Sequence, residues 1–183
     1  MRKLTGAAFV SIDGVMQAPG GPTEDPTGGF NQGGWMFGVG DDVIDRVLVD
    51  LFKPPYALVL GRRTFDIFAA YWPFVERELA AMAQALTAAD KHVVTHGDQP
   101  LDWANSNQIS GIDAVQTLKE SDGPDLLIQG SSTLYPPLLA AGMIDELVLM
   151  TFPSCSGTAS ACLGMARCQA HCAWSISRLA QRA

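Results

Sequence analysis

The chain has 183 residues, 48% hydrophobic and 17% charged, a composition that suits one globular domain with a real core. Its formal net charge is -7 and no basic patch is evident, which argues against a nucleic-acid surface. No apolar leader core or spanning stretch follows Met1-Arg2-Lys3, so the chain reads as soluble and cytoplasmic, with no membrane partner.

Leu4 to Ser11 reads as a first strand, ending in the turn Ser11-Ile12-Asp13-Gly14. A glycine- and proline-rich segment, Val15 to Gly40, follows and carries Gln17, Trp35 and Phe37. Loops this long inside compact domains are commonly functional, and the aromatics favour one that folds over something. Asp41 and Asp42 are placed to cap a helix from Val43 to Phe52, with Ile44, Val47, Leu48 and Leu51 on one face. Lys53-Pro54-Pro55 ends it. Tyr56 to Leu60 is an apolar run of strand length, followed by Gly61-Arg62-Arg63-Thr64-Phe65. Gly61 permits a sharp turn and close approach of a ligand, and Thr64 is a plausible N-cap for the next helix. A helix end of this kind attracts phosphate, and two guanidinium groups strengthen the attraction.

That helix runs towards Tyr71-Trp72-Pro73, and Glu76 to Ala88 is a second helical stretch. Lys91-His92-Val93-Val94-Thr95-His96-Gly97 reads as another strand running into a turn. Ile109 marks a short strand, Asp113 to Ser121 a helix, and Leu126 to Gln129 a strand. After the Gly130-Ser131-Ser132 turn, Ser132 to Ala141 reads as a helix capped by Gly142. Asp145 to Phe152 is the last clear strand. Strands alternating with helices predict a three-layer α/β sandwich with a mainly parallel sheet. Two strand–glycine–helix turns suggest a phosphate-rich ligand across the sheet's carboxyl edge, which points to a nucleotide cofactor.

Four segments occur in a recognisable order: Phe9-Val10-Ser11-Ile12-Asp13-Gly14, Gly61-Arg62-Arg63-Thr64-Phe65, Ile128-Gln129-Gly130-Ser131-Ser132 and Ile144-Asp145-Glu146-Leu147. Together they resemble the dihydrofolate reductase-like superfamily, and within it the bacterial branch similar to the reductase domain of riboflavin biosynthesis. The resemblance covers Met1 to about Pro153, so the chain divides into a domain over 1–153 and an atypical tail over 154–183. It implies NADPH on the carboxyl edge, with Gly61, Arg62, Arg63 and Thr64 on one side of its phosphates and Gly130, Ser131 and Ser132 on the other. Thr95 and His96 stand where relatives contact the adenosine 2′-phosphate. The implied chemistry is hydride transfer to a polarised C=N or C=O of a small heterocycle, of the pterin or ribosylaminopyrimidine type. The metal-binding histidine and cysteine pattern of the accompanying deaminase half is missing. Relatives commonly form homodimers, which an altered tail would disturb.

An acid must protonate the substrate, and the candidates are Asp13 and Asp45. Each also has a plain structural reading, Asp13 as a turn residue bonding local backbone and Asp45 as a solvated or capping carboxylate. Gln17, Trp35, Tyr71 and Trp72 are candidates for the substrate pocket, although the tryptophans also suit a core. Of the histidines, His92 reads as structural and His96 as the better site candidate. The alternative function is a nucleotide-binding module that kept the cleft and lost the chemistry; a purely structural dimer module is a third.

All four cysteines (Cys155, Cys162, Cys168 and Cys172) fall after Pro153. A zinc site with His171 lacks paired C-x-x-C spacing, and a disulfide staple is disfavoured in a cytoplasmic chain. A reading-frame shift is the preferred account. Relatives continue after the equivalent Phe-Pro with V-x-L-G-x-G-x-x-L-F, and permissible codons for Ser154 to Ser175, read from the last base of the Pro153 codon, can encode that continuation. The final hairpin would then be lost and Val148 to Phe152 left with an unpaired edge. The gene's nucleotide sequence tests this: codons that cannot encode the continuation exclude the shift.

Overall fold

The computed structural model describes residues 1–37, 42–155 and 175–180. In chain order the strands are β1 (Leu4–Ser11), β2 (Ala57–Gly61), β3 (Lys91–Val94), β4 (Ser106–Ile109), β5 (Leu126–Gln129), β6 (Glu146–Phe152) and β7 (Ser175–Ala180). The α-helices are α1 (Asp42–Leu51), α2 (Arg62–Tyr71), α3 (Ala80–Ala88), α4 (Gly111–Glu120) and α5 (Tyr135–Ala140). The described strands form one sheet in the order β4-β3-β2-β5-β1-β6-β7. All neighbours pair in parallel except β6 and β7.

The central strands are apolar runs because both faces are covered. Every residue of β2 and of β5 is buried. Leu58, Leu60, Val93, Met150 and Phe152 pack with Ile44 of α1, Phe65 of α2 and Leu86 of α3. Ala57, Val59, Leu126 and Ile128 pack on the other side with Val115 of α4 and Leu138 of α5. The result is the expected three-layer α/β sandwich, with α1 to α3 on one face and α4 and α5 on the other.

Several boundaries differ from the sequence reading. Helix α2 starts directly at Arg62, with Gly61 in the N-cap position and no side-chain cap bond, so Thr64 lies inside the first turn. Helix α3 begins at Ala80, after a 3-10 turn over Arg77–Leu79. Helix α5 is only six residues long, because Ser131 has φ +58° and the chain makes a separate turn through Leu134. Gly142 does close it. At φ +64° its N–H donates to Leu139 O at 3.0 Å while Met143 N–H donates to Leu138 O at 3.0 Å, a Schellman motif.

The tail brings two corrections. The expected bare edge of β6 is paired, from Glu146 opposite Ala180 to Thr151 opposite Ser175. A ladder is made by backbone groups, so an extended run can satisfy the edge with little regard to its side-chain pattern. Cys155 is disulfide-bonded, against the expectation for a cytoplasmic chain. Asp41, Cys162, Cys168, Cys172 and His171 lie outside the described residues, and the zinc reading with them.

Two buried lysines hold the sheet's margins. Lys91 is fully buried; its ammonium donates to the carbonyls of Thr87, Ala89 and Ala104 and lies 4.3 Å from the Trp103 ring centre. Burial pushes its pKa down to about 8, with Asp90 pulling the other way. Lys119 on α4 donates to Asp145 Oδ2 at 2.6 Å and to the Met143 carbonyl, while Asp145 also accepts from Leu4 N–H. Asp145 thus joins the start of β1 to α4. Desolvation pushes its pKa up, but the Lys119 and Leu4 hydrogen bonds and the charges of Lys119 and Lys3 outweigh it, leaving it below the usual value. A carboxylate with a depressed native pKa stabilises the fold above its unfolded pKa and loses that contribution as pH falls through the native one. Urea midpoints of wild type and Asp145→Asn should therefore differ at pH 7 and converge below about pH 4; a gap that does not change with pH would contradict this.

Candidate functional site

Parallel strands place their carboxyl ends on one edge of the sheet. Asp13 follows β1 there, Gly61 ends β2, Thr95 and His96 follow β3, and Gly130 to Ser132 follow β5. Strands β2 and β5 are neighbours, yet α2 leaves β2 towards one face and α5 packs on the other. Adjacent strands whose connections diverge leave a crevice between them, the topological switch point where open α/β sheets bind ligands.

The walls of this crevice are laced together. Gly61 N–H donates to Ser131 Oγ at 2.8 Å, and Ser131 N–H donates to Thr64 Oγ1 at 3.0 Å. Gly130 has φ +64°, and a Cβ there would lie 3.4 Å from Thr64 Cγ2. The positive φ favours glycine there, whereas a Cβ would meet Thr64 only at ordinary contact distance. The ten-residue helix α2 points its N-terminus, with the unpaired N–H groups of a first turn, at this junction. Helix α5 is too short and starts too late to add a second such end. The donor set suits an anion: a helix N-terminus, a tight glycine turn and an adjacent guanidinium.

The two arginines divide. Arg62 Nε donates to both Asp66 carboxylate oxygens, at 2.9 and 3.1 Å, and its terminal nitrogens donate to the carbonyls of Gln99 and Pro100. Its fork is spent on the protein, fixing the loop beyond β3. Arg63 is 62% exposed, with Asp25 Oδ2 at 3.6 Å. Asp25 belongs to the long loop, which Gln17 staples by donating to the carbonyls of Asp25 and Thr27 at 2.9 Å. Trp35 Nε1 donates to Gln17 O at 2.8 Å, and its ring meets Phe152 edge-on at 5.7 Å. Gln17 and Trp35 are thus brought together, as braces of the loop against the α1–α3 side of the sheet.

Among the other candidates, Thr95 Oγ1 accepts from Gly97 N–H, and exposed His96 Nδ1 lies 3.2 Å from Ser110 Oγ. Ser132 is exposed beside the laced turn. Half-buried Asp13 accepts a hydrogen bond from Ser11 Oγ, which in turn accepts from Val15 N–H at 2.9 Å. It reaches the carboxyl edge and also shapes the turn. Asp45 is exposed in the first turn of α1, while its neighbour Ile44 is buried. Tyr71 and Trp72 lie at the far end of α2, about 15 Å from the Gly61 turn for a ten-residue helix. They stack edge-on at 5.2 Å, and Tyr71 lines a surface hollow of about 470 Å³ with Phe74 and Leu79. Another hollow, about 320 Å³, lies between Thr5, Tyr56 and Glu146 at the amino ends of the strands, away from the laced turns. Gln129 is also buried where β5 ends, and a glutamine closing an otherwise apolar strand is the sequence signal that marks it.

Among the described residues no helix is long and apolar enough to cross a membrane, and no group of three or more His, Cys, Asp or Glu could hold a metal ion.

A three-layer α/β domain with a laced glycine crevice at its switch point is the class defined here. The family model of the RibD C-terminal domain matches residues 2–172, past Pro153, and the chain belongs to that family, a reductase-type domain of riboflavin biosynthesis. A protein from Shewanella sp. PV-4 assigned to riboflavin biosynthesis is similar in structure, with TM-score 0.60 and 18% identity over 86% of this chain and 80% of that one. Dihydrofolate reductase from Enterococcus faecalis, complexed with NADP(H) and RAB-propyl, gives TM-score 0.51 and 15% identity over 81% and 70%. The fold is therefore dihydrofolate reductase-like. No curated protein sequence matches this one.

Removing either lacing oxygen should loosen the crevice. Ser131→Ala leaves the buried Gly61 N–H unpaired and Thr64→Val does the same to Ser131 N–H, each at a cost of about 1–3 kcal/mol by urea denaturation. Values near zero for both would show that the turns do not depend on one another.

Proposed function

We propose that this chain is an NADPH-dependent reductase that delivers hydride to a polarised C=N or C=O of a pterin- or ribosylaminopyrimidine-type heterocycle. The observation that carries this is the Gly61–Ser131–Thr64 lacing, which sets two glycine turns and one helix N-terminus around a single crevice. Membership of a reductase-type family supports the reaction class, and the NADP(H) bound by the Enterococcus enzyme supports the cofactor.

In this reading the first-turn N–H groups of α2 and the Gly130–Ser132 turn hold the diphosphate, and Arg63 adds charge. Arg62 acts one step removed, holding the Gln99–Pro100 loop beside Thr95 and His96, which face the 2′-phosphate. When bound, NADPH supplies a hydride. Asp13, on the same edge, supplies the proton. Gln17 and Trp35 keep the loop closed and water out. The protein works in the cytoplasm on a small-molecule substrate, as a homodimer.

Tryptophan fluorescence should be quenched by NADPH, with binding about tenfold tighter than for NADH. Arg63→Ala should weaken binding several-fold and reduce its salt dependence. Asp13→Asn should leave binding intact while lowering NADPH oxidation with the accepted substrate by about 10²–10⁴. Absence of NADPH binding would sink the proposal. Tight binding with no oxidation, tried with dihydrofolate and a ribosylaminopyrimidine, would instead indicate a nucleotide-binding module without catalysis.

A further inference from the structure

Gln129 is the last residue of β5 and is 5% exposed, yet its Oε1 has no hydrogen-bond partner among the described residues. A buried amide oxygen left unpaired costs stability, and native proteins seldom leave one without a reason. Alternation along β5 gives the side chain's direction. Leu126 and Ile128 belong to the α4–α5 side and Leu127 to the α1–α3 side, so Gln129 faces the same way as Leu127. Its partner across the ladder is Ala7 of β1, whose side chain lies on that side too. Trp35, Phe9 and Phe152 line the same side. The amide therefore sits on the loop-covered, aromatic side of the sheet, immediately before the Gly130 turn.

The position bears on the direction of the cofactor, and the inference rests on the NADPH reading above. With the adenosine end towards Thr95 and His96 beyond β3, the other end must run the opposite way, over β5 and β1. The backbone offers little there. Ala7 O already accepts from Gly130 N–H at 3.3 Å and from Tyr135 Oη at 2.9 Å. Among the described residues, the Gln129 amide is an unpartnered polar group at this corner. Nicotinamide carries a primary amide, and two primary amides are complementary, each offering one carbonyl and one NH₂.

We propose that Gln129 recognises the nicotinamide carboxamide and so fixes the reactive end of the dinucleotide against β5 and β1. Gln129→Leu removes the amide at similar size, whereas Gln129→Glu retains an acceptor oxygen. Both variants and the wild type are titrated calorimetrically with NADPH and with 2′-phospho-ADP-ribose, which has the phosphates and adenosine but no nicotinamide. The expected result is about tenfold weaker NADPH binding by Gln129→Leu, a smaller loss for Gln129→Glu, and unchanged binding of 2′-phospho-ADP-ribose by both. Wild-type NADPH affinity in Gln129→Leu overturns the proposal, and so does an equal loss for both ligands, which marks a general defect. If the wild type binds neither ligand, the NADPH reading itself fails.

Discussion

The arrangement depends on one side chain. Ser131 accepts a hydrogen bond from the last N–H of β2 and, through its own N–H, donates to a threonine in the first turn of α2. These two bonds make the ends of adjacent strands a single structural unit. Ser131 holds a left-handed backbone conformation, φ +58°, that a non-glycine residue adopts only at some cost. The lacing offsets that cost, and the positive φ of Gly130 turns the chain into it.

Sheet order brings the crevice about. Because β5 is inserted between β1 and β2, the turns after β2 and β5 lie side by side although they are far apart in sequence. The opposite edge is held separately by Lys119, Asp145 and the start of β1. Arg62 ties the loop after β3 to α2, while Gln17 closes the loop after β1 on itself and Trp35 packs that loop against Phe152. In the proposed reading, the strands and the braced loops would present these donors to a diphosphate already in place.

Much of this was legible in the sequence where burial dictates composition. Leu4 to Ser11 and Leu126 to Gln129 were read to the residue, since strands covered on both faces are apolar runs with polar or glycine ends. The two glycine turns were legible as well. The use of their neighbours was less so. Thr64 fits an N-cap pattern, but the helix begins earlier and the hydroxyl is taken by a residue 67 positions away. Arg62 reads as an anion clamp, although the Arg62–Asp66 spacing of four was a local sign of its engagement. The carbonyls of Gln99 and Pro100, and the Lys119–Asp145 pair 26 positions apart, are tertiary and leave no local trace. The pairing of β7 was missed because a backbone ladder can form without the alternating side chains that announce a strand.

The central claim is that the Gly61 and Gly130 turns act as one diphosphate site. The most direct measurement is an amide NMR titration of the labelled protein with NADPH. The account predicts that the N–H resonances of Gly61 to Thr64 and of Gly130 to Ser132 shift together along one binding curve. Shifts confined to one turn, or two curves with different dissociation constants, would contradict it.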